Sequence, residues 1–125
     1  MYDPENFSER HLIYSAPTSD RLRSREIGHA FRNGTETHFE MKLNIMPGTK
    51  FYLVPNRREG PDYRIYSGKW QAHHRSLRFY RDVGSGNFSH DEGYIVLEFP
   101  ELNLCFYLKF EPLDIHYSIK RSSVA

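Results

Sequence analysis

From residue 38 onward, apolar and polar side chains alternate in short segments that are separated by turn-forming residues. In the first segment, residues 39–45, apolar side chains occupy every second position. This period is typical of a strand with one buried face, because successive side chains of a strand point to opposite faces. Similar segments recur about every ten residues, and no room remains between them for the crossover helices of a parallel sheet. We therefore predict a mainly β fold: a small antiparallel barrel or curled sheet of six or seven strands.

The first 35 residues lack this alternation. Residues 1–17 are polar without a sustained period, so we predict an N-terminal arm. In residues 19–32 a helical stripe of apolar side chains ends at Asn33-Gly34, which predicts one short N-terminal helix. The predicted organisation is thus the arm over residues 1–17 and a single β-rich domain with this helix over residues 18–125.

The inward positions of the predicted strands carry large side chains that are suited to a small core. We predict a core formed by Phe39, Phe51, Ile65, Phe79, Leu97, Phe106 and Phe110. Between two of these strands, residues 84–87 read Gly-Ser-Gly-Asn, which favours a flexible loop tip.

Cysteine content and hydropathy limit the class of protein. The single cysteine, Cys105, excludes an internal disulfide, and its apolar surroundings favour a half-buried structural thiol over a nucleophile. No stretch approaches the roughly 20 apolar residues of a membrane helix, and no secretory leader opens the chain. We expect a cytoplasmic protein without a membrane partner.

The charges are balanced over the whole chain but unevenly distributed along it. The formal net charge is +1, with 17 Lys or Arg against 16 Asp or Glu. Residues 36–90 contain nine basic and five acidic side chains, whereas residues 91–125 contain three basic and six acidic ones. The bulk charge requires no polyanionic partner, but the middle segment is a candidate basic surface.

Residues 69–81 combine cations with aromatic rings and contain no acid. Such interleaving suits nucleic acid, because rings stack on bases while arginines contact phosphates. The alternative is an edge strand whose charges discourage association with other sheets. Under the first interpretation, the candidate binding residues are Arg57, Arg58, Arg64, Trp70, Arg75, Arg78, Tyr80 and Arg81.

The Asp62-Tyr63-Arg64 unit follows a loop that is rich in turn residues. Arg64 is a candidate for bidentate binding of a phosphate or carboxylate. In the alternative, Asp62 caps the loop and Arg64 pairs with Asp62 or Glu59.

No cofactor, metal or catalytic pattern is complete. His73-His74 and His90-Asp91 are weak metal candidates, because adjacent strand residues point to opposite faces. Asp82 and Asp91-Glu92 are better explained as solvated loop charges than as paired catalytic acids, and phosphate-binding glycine loops are absent from the sequence. We predict no cofactor and no bound metal, and a non-enzymatic protein, with a small enzyme of unknown reaction as the third possibility.

One stretch resembles a known family. Val54-Pro55-Asn56, a polar loop and then Pro61-Asp62-Tyr63-Arg64-Ile65-Tyr66 are similar to the VPN…PDYRV-type motif of small uncharacterised bacterial proteins that form a domain of unknown function. These proteins are encoded on plasmids and integrative elements. Trp70 and the later strands around Tyr94 and Cys105 look like further counterparts, so the resemblance covers about residues 37–121. It implies a β-rich accessory protein of a mobile genetic element, and no reaction.

Together these observations favour a non-enzymatic binding module that contacts nucleic acid through a basic aromatic face. The alternative function is a protein-binding inhibitor or adaptor that acts on a host protein complex, for example a defence system. An exposed edge strand would also allow a homodimer.

Overall fold

The computed structural model describes residues 2–34, 36–71, 76–89 and 93–119, without the side chains of residues 2–6, 69–71, 76–80 and 117–119. The described chain consists of strands and one short 3-10 turn. The strands are β1 (Tyr2–Tyr14), β2 (Glu26–Asn33), β3 (Phe39–Leu43), β4 (Lys50–Pro55), β5 (Tyr63–Gln71), β6 (Ser76–Ser89), β7 (Tyr94–Phe99), β8 (Leu104–Lys109) and β9 (Asp114–Ile119). The 3-10 turn spans Pro100–Leu102, between β7 and β8.

The strands form a single antiparallel sheet, and eight of them close into a barrel. β2 to β8 form an up-and-down meander, and β1 closes it by pairing with β2 on one side and β8 on the other. β9 is an extra strand that pairs with β1. The predicted mainly β antiparallel barrel is therefore confirmed, although the described strands number nine and not six or seven.

The predicted N-terminal arm is wrong, because residues 2–14 form the strand that closes the barrel. β1 pairs with β8 at Ile13 and Tyr14, and with β9 from Arg10 towards its N-terminus. β8 and β9 run in the same direction along β1, so β9 continues the path of β8 after the connection at residues 110–113. The hydrogen bond from the Leu113 amide to the Arg10 carbonyl, at 2.7 Å, marks where β9 takes over.

The predicted N-terminal helix is also wrong, because its second half forms β2. The inward positions of β2 hold small or charged residues, Gly28, Ala30 and Arg32, while Phe31 faces outward and is 38% exposed. The apolar side chains of this segment therefore lie on both faces of the strand. Their near-helical spacing did not reflect a buried helical stripe.

The core fills the barrel as predicted at most positions. Phe39, Phe51, Ile65, Leu97 and Phe106 are buried. Phe110 does not belong to the buried core: it lies just beyond β8, where the chain leaves the barrel wall, and is 47% exposed. The side chain of Phe79 lies outside the described part.

The predicted flexible tip at residues 84–87 is instead part of β6. A Cβ at Gly84 would collide with the Glu98 carbonyl oxygen of β7, and a Cβ at Gly86 would lie 3.0 Å from a methyl group of Ile95. These glycines therefore do not form a turn. They allow β6 to pack closely against its neighbours at this point.

The connections divide into two groups by the end of the barrel at which they lie. The ribbon end has the connections at residues 15–25, 44–49 and 100–103, together with the place where β5 leads to β6. The opposite end has the connections at residues 34–38, 56–62, 90–93 and 110–113.

Candidate functional site

β5 and β6 extend past the barrel wall as a two-stranded ribbon. β4 pairs with β5 only as far as Ser67, and β7 pairs with β6 only from Ser85 onward. Between these limits, the pairings of the described strands join β5 and β6 to each other alone, from Ser67–Arg81 to Gln71–Ser76. We define the ribbon as residues 68–81, of which residues 72–75 are outside the described part.

The ribbon contains the whole of the predicted cationic aromatic segment, residues 69–81. Its sequence includes four Lys or Arg, two His and three aromatic residues besides them, and no Asp or Glu. The backbone pairs Lys69 with Arg78 and Trp70 with Leu77. The side chains of Trp70, Arg78 and Tyr80, and the whole of Arg75, are not described, so their predicted common face stays a prediction.

At the base of the ribbon, Arg81 is ion-paired. Its guanidinium donates to both carboxylate oxygens of Glu101, at 3.0 and 2.9 Å. Both side chains are more than two-thirds exposed, so water screens this pair and its contribution to stability is small. Arg81 is thus held towards the 3-10 turn but stays accessible to solvent.

Arg64 pairs with Asp82 of β6, and not with Asp62 or Glu59 as the alternative proposed. The register explains this choice, because Tyr66 lies opposite Asp82 and places it on the same outer face as Arg64. The Asp62 carboxylate instead accepts a hydrogen bond from the Phe88 amide at 2.9 Å, which ties the loop to β6. Asp82 is therefore an ion-pair partner on β6 and not the solvated loop charge that we predicted, while Asp91 and Glu92 lie outside the described residues.

Arg57 and Arg58 lie away from the ribbon. They belong to the connection at residues 56–62, which is at the opposite end of the barrel, and both are exposed. Asn56 shapes this loop by donating to the Pro61 carbonyl oxygen at 2.8 Å. The structure therefore does not bring these two arginines together with the ribbon.

A buried polar network that the sequence did not reveal lies inside the opposite end. Glu9 is 7% exposed and His11 is 1% exposed, and their side chains are 2.6 Å apart. Arg32 donates to the other oxygen of Glu9 at 2.5 Å. His11 Nδ1 is 2.9 Å from the Lys109 carbonyl oxygen, which only accepts, so this nitrogen carries the hydrogen.

The network closes the barrel and is unsuited to catalysis. Burial acts first on Glu9 and raises the pKa of its carboxyl, but the hydrogen bonds and charges of Arg32 and His11 outweigh burial and lower it below the ordinary value. A catalytic His–Glu pair must reach its substrate, and these two side chains are almost fully covered. Phe7, Glu9, His11 and Ile13 occupy every second position, and this spacing is the sequence signal of a strand here.

Aromatic rings surround this network in a closed series of contacts. His11, Phe39, Tyr63, Phe88 and Phe110 contact one another in that order and back to His11, with centroid separations from 5.2 to 6.4 Å. The Arg32 guanidinium lies 5.5 Å from the centre of the Phe39 ring, within the range of a cation–π contact. The rings therefore pack against one another and against a cation of the same chain, Arg32.

Outside the barrel, the described residues offer little chemistry. A cavity of about 310 Å³ between β2, β1 and β9 contains Arg10 and Asp114, which already pair with each other at 2.9 Å. Cys105 is exposed and not half-buried as predicted, because it points outward from β8. Partial desolvation by its neighbours still raises the pKa of its thiol, which lowers its reactivity.

In the described ranges, no group of three or more His, Cys, Asp or Glu side chains is arranged to hold a metal ion. The metal candidates His73, His74, His90 and Asp91 lie outside these ranges. None of the described segments is a helix with the length and apolar character needed to cross a bilayer. Comparisons with protein-family models, with curated proteins and with solved structures find no significant match.

Proposed function

We propose that the protein is a nucleic-acid-binding module that uses the ribbon as its contact element. One observation carries this proposal: the longest cationic, acid-free and aromatic stretch of the sequence coincides with a two-stranded ribbon that extends past the barrel wall. Lys69, Arg75 and Arg78 would contact phosphates, and Trp70 and Tyr80 would stack on bases or sugars.

The dimensions of the ribbon support this assignment. A two-stranded β-ribbon fits the major groove of B-DNA, which is about 12 Å wide and 8.5 Å deep. The four residues from Gly68 to Gln71 extend by up to about 13 Å at the usual rise per strand residue, which exceeds the depth of the groove.

The ion pairs at the base of the ribbon refine the set of candidate residues. Arg64 is engaged by Asp82 on the outer face of the barrel, so we assign it a structural role. Arg81 is paired but exposed, so a phosphate can replace Glu101 at little cost. Arg57 and Arg58 are at the opposite end of the barrel, and we leave them out of the contact surface.

A salt titration tests the proposal. Binding of the full chain to labelled single- and double-stranded DNA is measured by fluorescence anisotropy from 50 to 200 mM NaCl. We expect log K to fall linearly with log salt, with a slope of about −0.9 per phosphate contact on duplex DNA. The variant K69A/R75A/R78A should bind at least ten times more weakly at 50 mM NaCl.

The control is R57A/R58A, which removes two exposed cations from the connection at the opposite end of the barrel. It should change the affinity less than threefold. Absence of DNA and RNA binding by the wild-type protein at 50 mM NaCl would exclude the proposal. In that case, a stoichiometric protein partner that survives nuclease treatment would favour the inhibitor or adaptor function.

The setting on a mobile genetic element is a proposal that rests on the VPN…PDYRV-type resemblance alone. In the structure, Pro55 ends β4 and Tyr63 begins β5, so the motif forms the end of β4, the loop at the end of the barrel opposite the ribbon, and the first half of the strand that continues into the ribbon.

A further inference from the structure

The topology separates the charges of the strand connections between the two ends of the barrel. In the sequence, the connections at the ribbon end, counted with the ribbon, contain two acids, Asp20 and Glu101, and seven cations: Arg21, Arg23, Arg25, Lys69, Arg75, Arg78 and Arg81. The connections at the opposite end contain two cations, Arg57 and Arg58, and six acids: Glu36, Glu59, Asp62, Asp91, Glu92 and Glu111. The connections at the ribbon end, with the ribbon, thus carry an excess of cations and those at the opposite end an excess of acids, although the net charge of the chain is only +1.

Three of these cations lie in the connection between β1 and β2, which we name the Arg loop (residues 20–25). Arg21, Arg23 and Arg25 are exposed. Among the side chains that the structure describes, no acid forms an ion pair with them. They differ in this from Arg64 and Arg81, whose charges are already balanced.

The connection that contains the Arg loop is fixed by hydrogen bonds within itself and to the barrel. Ser15 Oγ donates to the Arg23 carbonyl oxygen at 2.7 Å and accepts from the Arg25 amide at 2.9 Å. Thr18 is tied to the hydroxyl of the buried Tyr94 through its amide, at 2.9 Å. The three guanidiniums are therefore presented on an anchored backbone, which reduces the entropy that is lost when they bind.

The position of the Arg loop relative to the ribbon follows from the strand order. Around the barrel, β3 and β4 separate the pair β1–β2 from the pair β5–β6 on one side, and β7 and β8 separate them on the other. The two elements therefore lie across the barrel from each other at the same end. Strands about 4.8 Å apart and tilted by about 40° give an eight-stranded barrel a backbone diameter of about 16 Å.

We propose that duplex DNA is the nucleic acid bound, and that the Arg loop contacts its phosphates while the ribbon enters the major groove. This inference rests on the proposed function of the ribbon and adds a second contact. A ribbon that enters a groove about 8.5 Å deep brings the barrel end close to the phosphate backbone beside that groove. Across the barrel, the Arg loop meets the next phosphates of the duplex, whereas a single strand on the ribbon alone has no reason to reach it.

The experiment compares R21A/R23A/R25A with K69A/R75A/R78A and with the control R57A/R58A, whose two arginines lie at the opposite end of the barrel. The probes are a labelled 20-base-pair duplex and one of its strands, each titrated from 50 to 200 mM NaCl. We expect the wild type to bind the duplex more tightly than the single strand. The Arg-loop variant should bind the duplex at least tenfold more weakly at 50 mM NaCl, with a salt slope shallower by about 2 to 3.

The outcomes separate this inference from the proposed function. If the ribbon variant loses binding while the Arg-loop variant keeps the wild-type affinity and slope, the second contact is excluded and the ribbon function stands. The second contact is also excluded if the control variant weakens binding as much as the Arg-loop variant, or if the single strand binds more tightly than the duplex. If the wild type binds neither probe, the proposed function itself is wrong.

Discussion

At the scale of single residues, Glu9 is the side chain whose burial most needs explanation. A carboxylate that is 7% exposed is tolerated only when hydrogen bonds and opposite charges replace water. Arg32 and His11 supply both, at 2.5 and 2.6 Å. The network also links β1, β2 and β8, because His11 contacts the Lys109 carbonyl oxygen. Its loss should therefore weaken the closure of the barrel.

The substitution Glu9→Gln tests this role at two pH values. It should lower the free energy of unfolding by about 3 kcal/mol at pH 7, since it removes the buried anion that Arg32 and His11 contact. The folded state lowers the pKa of Glu9 below its ordinary 4.5, so its contribution is complete above that value and is lost as the pH falls through the lowered pKa. Urea unfolding should thus show a smaller difference between variant and wild type at pH 3.

The control for this substitution is Glu59→Gln, which removes an exposed carboxylate from a loop at the same end. It should change stability by no more than about 0.5 kcal/mol at either pH. An equal loss for Glu9→Gln at pH 7 and pH 3 would show that Glu9 does not act through its charge.

At the scale of strands, sequence patterns succeeded where the inward positions are apolar. β3, β4, β5, β7 and β8 bury apolar side chains such as Met41, Leu53 or Leu97, so these strands are visible in the sequence, whereas the buried described positions of β6 are Gly84 and Gly86. β1 and β2 were missed because their inward positions hold Glu9, His11 and Arg32 in place of apolar residues. A polar network that is satisfied only in three dimensions leaves no hydrophobic period to detect.

The candidate site shows the same limit. The sequence identified the cationic aromatic segment, but it gave no sign that this segment extends beyond the barrel, since extension depends on where β4 and β7 stop pairing. It also placed Arg57 and Arg58 in one surface with the ribbon. Arg57 and Arg58 precede β5, whereas the ribbon lies at its far end. The two arginines and the ribbon are therefore separated by the length of this strand and lie at opposite ends of the barrel.

The ribbon should be dispensable for the barrel. Replacing residues 68–80 by Asn-Gly joins the paired residues Ser67 and Arg81 through a two-residue hairpin turn. Because the pairings of the described strands connect this segment only to itself, we expect the melting temperature to stay within about 4 °C of the wild type. Thermal unfolding followed by circular dichroism measures this, and a loss of cooperative unfolding would mean that the ribbon supports the barrel wall.

At the scale of the whole molecule, closure depends on contacts between the two ends of the chain. His11 and Lys109 are 98 residues apart, and Arg10 and Asp114 are 104 residues apart. Ordering so long a loop costs entropy before any closing contact forms. The meander from β2 to β8 pairs only consecutive strands, so we expect it to form first and β1 to dock last.

Two truncations distinguish closure from simple extension of the sheet. Deletion of residues 1–14 removes β1 and exposes the free edges of β2 and β8, which leaves the core open on one side. We expect this variant to lose cooperative unfolding and to bind a hydrophobic dye. Deletion of residues 114–125 removes β9, which pairs with β1 beyond the end of β8 and leaves the β1–β2 and β1–β8 pairings in place, so this variant should still unfold cooperatively at a lower temperature. The strand that closes the barrel is the one that covers the free edges of both of its neighbours. If deleting β9 abolished folding while deleting β1 did not, β9 and not β1 would be that strand.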